Sequence, residues 1–360
     1  MKVLLLGEFS GLHDNLAKGL RYHDIDVTTA SFGDGWKKIL SDYDWSCNIN
    51  GLTGRGISFL KAFKDVRKLT DYDVVQIISP VLVPPKFNIL NNLLIKFLSK
   101  NNNKLFLVGA GASERNNIIN DFYRESYIYP DFYHAIKSVS NGYLWSETAQ
   151  GIKYNENLHN IIAGYIPIMY EYAEPYRQIN FNKLKKTIQI PFINNNRFSF
   201  KKLQGRKLRV FHGLSGRRAK LKGSDIIVPV MEDLSGKFGK HVDFISQGGL
   251  PLNQYLDCLN AADVVIDQAY AVSYGINAVH AMSLGKVVMG GGQKEFLNEF
   301  NLESSPVVSF FPSAKSIYSV LDQLLSESHL IEDKSLSSYN FVNDFHDGRK
   351  VAISYLSEWN

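Results

Sequence analysis

The sequence is poor in the residues that mark several common classes of protein. Its 360 residues include only two cysteines, Cys47 and Cys258, which lie far apart and outside any Cys-x-x-Cys or Cys/His spacing. This argues against a disulfide framework or a structural zinc site and is typical of a reducing compartment. No apolar run approaches the roughly 20 residues that span a bilayer. We therefore expect a cytoplasmic protein, with peripheral contact at the inner face of the plasma membrane left open.

Motifs of several enzyme classes are also missing. The sequence contains no Walker A loop, no G-x-G-x-x-G fingerprint and no nucleophile elbow. We predict no required metal and no cofactor. The net charge of +5 is too small to predict nucleic-acid binding, but it suits an anionic ligand or an anionic membrane surface.

Strand-like and helix-like segments alternate along the first half of the chain. "KVLLLGEFSGLHDNLAKGLRYHDIDVTTAS" has the pattern strand, turn, helix, strand. "DYDVVQIISP" and "KLFLVGAGAS" are further buried-type strands, separated by the helix-like "NILNNLLIKFLSKNNNK". Such alternation predicts a doubly wound parallel sheet.

A second alternating series begins after a stretch without periodicity. We expect an N-terminal Rossmann-like domain over 1–168, a linker over 169–206 and a C-terminal Rossmann-like domain over 207–342. Two α/β domains of this kind would face each other across a cleft. Ligands of open parallel sheets bind at the carboxyl ends of the strands, so loops from both domains should line that cleft.

The stretch "HGLSGRRAKLKGSD" follows a strand and leads into a helix. Gly213 loosens the loop, and Arg217, Arg218 and Lys222 supply cations just before the helix begins. A helix N-terminus has free N–H groups and a positive dipole end, so this arrangement favours a phosphate group. The alternative is an ordinary solvated basic turn.

The stretch "DVVIDQAYAVSYGINAVHAMSLGKVVMGGG" resembles the donor-binding element of nucleotide-sugar glycosyltransferases of the GT-B fold. The resemblance is to the large retaining family, glycosyl transferases group 1, that builds bacterial surface polysaccharides. It rests on Tyr274-Gly275, Ala281-Met282 and Gly285-Lys286, and on Asp267-Gln268, which matches one branch of the family. The terminal stretch 343–360 resembles the family's closing helix, which returns to the N-terminal domain.

The resemblance implies roles for individual residues. Arg217 and Lys222 would be the catalytic cations that hold the donor diphosphate, with Arg218 a rival for the arginine role. The other implied donor-binding residues are Gly213, Asp267, Gln268, Tyr274, Gly275, His280, Gly290 and Gly291.

The family's two acidic positions fall here on Val272 and His280. A neutral imidazole can accept one hydrogen bond from a ribose hydroxyl, so His280 could replace the acid in part. The alternative is a helix histidine that contacts no ligand. Asp267 likewise has an alternative role as a cap of backbone amides.

Candidate acceptor or cleft residues come from two N-terminal loops. "GEFSGLHDN" offers Glu8, Gly11 and His13, and "GAGASER" offers Ser113 and Glu114 where the family often has a histidine. For His13 the alternative is an N-capping turn before the helix.

The sequence therefore predicts a glycosyltransferase that moves a sugar from a nucleotide-diphosphate donor to a saccharide or polyprenyl-linked acceptor. Retention of configuration and a role in surface polysaccharide synthesis are implied by the resemblance alone. Two alternatives remain: a catalytically impaired sugar-binding or scaffold protein, and a UDP-sugar epimerase. The basic amphipathic segment "SFLKAFKDVRKL" indicates contact with an anionic membrane. The alternative for this segment is a solvated face of a packed helix.

Overall fold

The structure is a computed structural model that describes residues 1–34, 39–49, 51–82, 88–111, 115–198 and 205–360, without the side chains of residues 52, 88, 217 and 252. Elements of the first half are, in chain order, β1 (Lys2–Leu6), α1 (Leu12–Tyr22), β2 (Asp26–Ser31), β3 (Tyr43–Asp44), α2 (Gly51–Asp65), β4 (Val74–Ile77), α3 (Asn88–Lys100), β5 (Lys104–Gly109), α4 (Asn117–Glu125), α5 (Asp131–Val139), α6 (Ala149–Ile161), β6 (Gly164–Pro167) and α7 (Tyr170–Gln178).

Elements of the second half continue the alternation. They are β7 (Leu208–Leu214), α8 (Ser224–Phe238), β8 (Val242–Gly248), α9 (Leu252–Ala261), β9 (Val264–Ile266), α10 (Ile276–Ser283), β10 (Val287–Gly290), α11 (Lys294–Glu299), β11 (Val308–Ser309), α12 (Ala314–Ser326), α13 (His329–Phe345) and α14 (Gly348–Trp359). Short 3-10 helices occupy Val66–Lys68, Trp145–Glu147 and Gly216–Lys222.

The chain divides into two compact units. The first comprises Met1–Phe122, Leu144–Ile193 and Gly348–Asn360, and the second comprises Tyr123–Tyr143 and Asn194–Asp347. The sheet of the first unit has the order β3-β2-β1-β4-β5-β6, and that of the second has the order β11-β10-β9-β7-β8. Neighbouring strands pair in parallel in both sheets. Two α/β units with parallel sheets are the predicted fold class.

Burial explains why these segments form strands. In β4 and β10 every residue is buried, as expected for strands covered by helices on both faces. The core of the second unit is built from aliphatic side chains of its strands together with those of α8 and α12. In the first unit α14 packs against α1, and the indole of Trp359 donates to Gln76 Oε1 over 3.2 Å.

The observed units differ from the predicted division. The supposed linker begins with α7 and runs as far as Ile193 within the first unit, where Lys185 N–H and Tyr165 C=O pair beside β6. Residues 123–143 were expected in the N-terminal domain but belong to the second unit. The 3-10 helix Trp145–Glu147 precedes α6, and the sequence pattern missed α13.

Candidate functional site

The basic loop of the second unit lies between β7 and α8. Its cations fall on the 3-10 helix Gly216–Lys222, and Gly223 then turns the chain into α8 with a φ of 70°. A Cβ at Gly223 would lie 2.6 Å from Ala269 Cβ, so glycine is needed here for backbone conformation and for space. The turn places Lys222 directly before the N-terminus of α8.

His212 fixes the base of this loop, a role that sequence reasoning missed. Its Nδ1 lies 2.8 Å from the carbonyl oxygen of Ile266 and must therefore carry the proton. Its Nε2 then accepts from Ser224 Oγ at 2.7 Å. Burial lowers the pKa of His212 to about 4. The neutral ring thus links β7 to β9 and to the first residue of α8. The position of His212 near the end of a strand is the sequence signal that indicates such a role.

Lys222 and Asp267 join the two sequence motifs. Lys222 Nζ lies 3.2 Å from Asp267 Oδ1, and the exposed fractions of the two side chains are 16% and 4%. Ala269 N–H also donates to the Lys222 carbonyl at 2.8 Å. The contact follows from topology, because β7 and β9 are neighbours and their carboxyl ends meet at one edge. Asp267 therefore accepts a hydrogen bond from the Lys222 ammonium group and orients it.

The glycine turn that starts at the last residue of β10 supports the loop that follows Asp267. Gly290 lies against Asp267 Cβ, and a Cβ at Gly291 would lie 2.5 Å from the carbonyl group of Ser273. Gln268 Nε2 is 3.4 Å from the oxygen of that same carbonyl. The structure therefore brings together four of the predicted donor residues, which are Asp267, Gln268, Gly290 and Gly291, around one loop.

The remaining predicted donor residues have different surroundings. Tyr274 is 1% exposed, and its hydroxyl is 2.8 Å from His346 Nε2 within the aromatic core of the second unit. Gly275 caps α10, and His280 lies in the last turn of that helix and is partly exposed. A Cβ at Gly213 would be 3.0 Å from the Tyr255 ring.

Both predicted arginines precede Lys222 on its 3-10 helix. Arg217 lies on the 3-10 helix Gly216–Lys222, but its side chain is outside the described part of the chain. Arg218 is exposed on the same helix.

In the first unit, Glu8 caps the start of α1. Its carboxylate accepts from Gly11 N–H and Asp14 N–H, each at 2.9 Å, at the carboxyl end of β1. Burial raises the pKa of Glu8 to about 7 despite these two bonds. Glu8 is thus a carboxyl group that changes charge near neutral pH at the ligand-binding edge of a parallel sheet.

His13 is a buried structural group in this arrangement. Its Nδ1 is 2.8 Å from the carbonyl oxygen of Gly7, so its Nε2 accepts from Gln76 Nε2 at 3.2 Å. Burial lowers the pKa of His13 to about 4, so the ring is neutral at physiological pH. Ser113 and Glu114, the other predicted acceptor residues, lie outside the described residues.

The described residues contain neither a candidate metal centre nor a candidate membrane-spanning helix. No group of three or more His, Cys, Asp or Glu side chains in these ranges is arranged to hold a metal ion. None of the helices in the same ranges combines the length and apolarity needed to cross a membrane.

Solved structures resemble the chain over almost its whole length. A HepE protein from Anabaena in complex with UDP-glucose is 13% identical, with 99% of each chain covered and a TM-score of 0.60. Sucrose-phosphate synthase from Thermosynechococcus elongatus is 12% identical, with 99% of this chain and 98% of that chain covered and a TM-score of 0.62.

A UDP-GlcNAc 2-epimerase from Neisseria meningitidis bound to UDP-GlcNAc is also similar. It is 12% identical, with 99% of this chain and 100% of that chain covered and a TM-score of 0.52. The chain has the GT-B fold. No protein-family model matches the sequence. No curated protein sequence matches it either. In this GT-B chain, the loop around Lys222 and Asp267 is at the carboxyl edge of the second sheet, where ligands of parallel sheets bind.

Proposed function

We propose that this GT-B protein is a glycosyltransferase that uses a nucleotide-diphosphate sugar. Its acceptor is a saccharide or a polyprenyl-linked saccharide of a surface polysaccharide, and the sugar is transferred with retention of configuration. The observation that carries the proposal is the Lys222–Asp267 pair beside the N-terminus of α8. Similar structures that contain UDP-glucose and UDP-GlcNAc support uridine donors as the first to test.

The chemistry follows from charge. When the bond between the donor's sugar and its diphosphate breaks, negative charge develops on the leaving diphosphate. The Lys222 ammonium group, the positive end of α8 and the arginine at position 217 stabilise that charge. Asp267 holds the ammonium group in place before the donor binds, which lowers the reorganisation needed during reaction.

The test removes the cation without leaving a buried unpaired charge. Asp267 is 4% exposed, so Lys222→Met alone would strand its carboxylate, whereas Lys222→Met with Asp267→Asn leaves both groups neutral. We expect donor turnover to fall about 100-fold or more, the usual cost of losing a preorganised charge-stabilising group. Lys220→Met is the matched control, because Lys220 is exposed on the same 3-10 helix. Unchanged turnover in the double variant, in a folded protein, would contradict the assignment.

Two alternatives predict different products. The two positions that are acidic in the family hold Val272, which is fully buried, and His280. The lack of both acids favours a binding or scaffold protein without turnover. Such a protein would bind nucleotide diphosphates in titration calorimetry and release no product from any donor. An epimerase would return a donor with altered sugar stereochemistry, which NMR of the donor sugar detects.

We also propose that the first unit contacts an anionic membrane through α2. The exposed side chains of this helix and of the turn after it include Phe59, Leu60 and Phe63, with exposed fractions of 37%, 66% and 68%. Exposed cations lie close to them in the sequence, namely Arg55, Lys61, Lys64 and Arg67. Apolar side chains with basic neighbours are the composition of helices that lie in a lipid interface.

Helix α3 extends this pattern. Ile89, Leu93, Lys96 and Lys100 are exposed and recur at helical spacing. The connections β3-α2-β4 and β4-α3-β5 run in the same direction across the sheet, so right-handed crossovers place α2 and α3 on one face. A lipid-linked acceptor would be reached from such a surface.

Vesicle co-sedimentation tests this contact. Leu60→Ser with Phe63→Ser should weaken binding to phosphatidylglycerol vesicles about tenfold, and added salt should weaken wild-type binding. Ile353→Ser is the control, because Ile353 is 55% exposed on α14. Equal vesicle binding by the double variant and by Ile353→Ser would argue against the membrane surface. Vesicle binding that does not depend on salt or on lipid charge would also argue against it.

A further inference from the structure

A segment from the first half of the sequence is built into the proposed donor-binding unit. Residues Tyr123–Tyr143 are preceded and followed in sequence by parts of the first unit, yet they pack within the second unit. Helix α5 of this segment packs against the 3-10 helix Gly216–Lys222. The segment therefore belongs to the surroundings of the basic loop.

Tyr127 of this segment bonds to the loop that follows Asp267. Its hydroxyl lies 3.1 Å from the carbonyl oxygen of Tyr270, to which it donates, and 3.2 Å from Val272 N–H, from which it accepts. Tyr270 and Val272 are buried and belong to no helix or strand, so their backbone groups depend on such partners. The Tyr127 hydroxyl thus bonds to both a backbone carbonyl group and a backbone N–H group of the same loop.

The aromatic ring of Tyr127 is held by its own segment. Tyr123, Tyr129 and Phe132 lie with ring centroids 4.9, 5.6 and 5.9 Å from it. Aromatic side chains packed in this way have few rotamers available, so the hydroxyl is presented in a fixed position.

The loop that Tyr127 contacts is anchored on two further sides. Ala269 N–H donates to the Lys222 carbonyl, and Gly292 N–H donates to the Val272 carbonyl at 2.7 Å. Residues 270–272 directly follow Ala269, so their position is coupled to Lys222 through the bond that Ala269 N–H donates.

We infer that Tyr127 is a positioning residue for donor binding, acting through the loop 268–274. The inference rests on the proposed function, because it deepens the description of the same site. It assigns the segment Tyr123–Tyr143 to the donor side of the enzyme, although its position in the sequence suggested the acceptor domain.

The test is Tyr127→Phe, which keeps the aromatic packing and removes both hydroxyl bonds. We expect the Kd for the preferred nucleoside diphosphate, found by titrating UDP, GDP, ADP and TDP, to rise about tenfold. The KM for its sugar donor should rise with it, while kcat changes less than twofold. Amide hydrogen exchange of a peptide covering residues 268–274 should become faster in the variant.

Tyr339→Phe is the matched control, because Tyr339 also loses a hydroxyl-to-carbonyl bond in the second unit, to Asn196. A structural role alone would lower the melting temperature of Tyr127→Phe and leave Kd and loop exchange equal to those of the control. That result overturns the inference while leaving the proposed function standing. If wild-type protein binds none of the four nucleoside diphosphates, the proposed function fails and the inference fails with it.

Discussion

Replacing Gly223 with alanine should destabilise the second unit more than the same replacement at Gly216. Both glycines have positive φ, 70° at Gly223 and 54° at Gly216, so alanine meets a similar backbone penalty at either position. That penalty is about 1–2 kcal/mol, offset in part by the lower entropy of the unfolded alanine chain.

The surroundings of the two glycines differ. A Cβ at Gly216 would have no atom within 4 Å, whereas one at Gly223 would be 2.6 Å from Ala269 Cβ. Carbon atoms in contact are about 3.5–4.0 Å apart, so the loop at Ala269 must move by about 1 Å. Overpacking of this kind typically costs about 1–3 kcal/mol. We expect the free energy of unfolding of Gly223→Ala to lie below that of Gly216→Ala by this amount.

Urea unfolding of the two variants, followed by circular dichroism, measures the difference directly. The displaced loop carries Asp267-Gln268, so nucleotide titration of Gly223→Ala should also show weaker binding than wild type. Equal unfolding free energies for the two variants would refute the close approach of Gly223 to Ala269.

Two further predictions concern buried polar groups. Burial raises the pKa of Glu8 from 4.5 to about 7, so the folded state binds this proton more tightly than the unfolded state does. The protonated side chain therefore contributes stability at low pH, and this contribution is lost as the pH rises from 4.5 through about 7. Glu8→Gln should therefore gain stability relative to wild type across that window; a difference between the two urea midpoints that does not vary with pH would contradict this. Tyr274→Phe removes the hydroxyl bonded to His346 and should cost about 1 kcal/mol of unfolding free energy. No change in the urea midpoint would show that this buried bond contributes nothing.

The fold class could be predicted because its signals are local. β1 and β4 are apolar runs bounded by turns, and α1 shows one apolar face, so alternation is visible in the sequence. Helix α13 gives a weak sequence signal because two of its buried residues are the serines Ser335 and Ser338, and the buried apolar residues Ile331 and Val342 are far apart. The place of α5 could not be predicted, because a helix pattern does not say which sheet it covers.

The site was predictable to a lesser degree. Lys222 and Asp267 each follow a strand in the sequence, but their contact depends on β7 and β9 being neighbours. Tyr274 is a candidate because of its place in a motif, whereas its hydroxyl bonds to His346, 72 residues later, through tertiary packing. Tyr127 gave no signal, since its partner atoms are backbone groups of a loop distant in sequence.

The most direct test of the central claim is the release of nucleoside diphosphate from UDP-, GDP-, ADP- and TDP-sugars. We predict that one class of donor is turned over, and that turnover falls about 100-fold or more in Lys222→Met with Asp267→Asn but not in Lys220→Met. Tight binding of a nucleotide sugar without release from any donor, or return of an epimerised donor, would contradict the assignment of this GT-B protein as a glycosyltransferase.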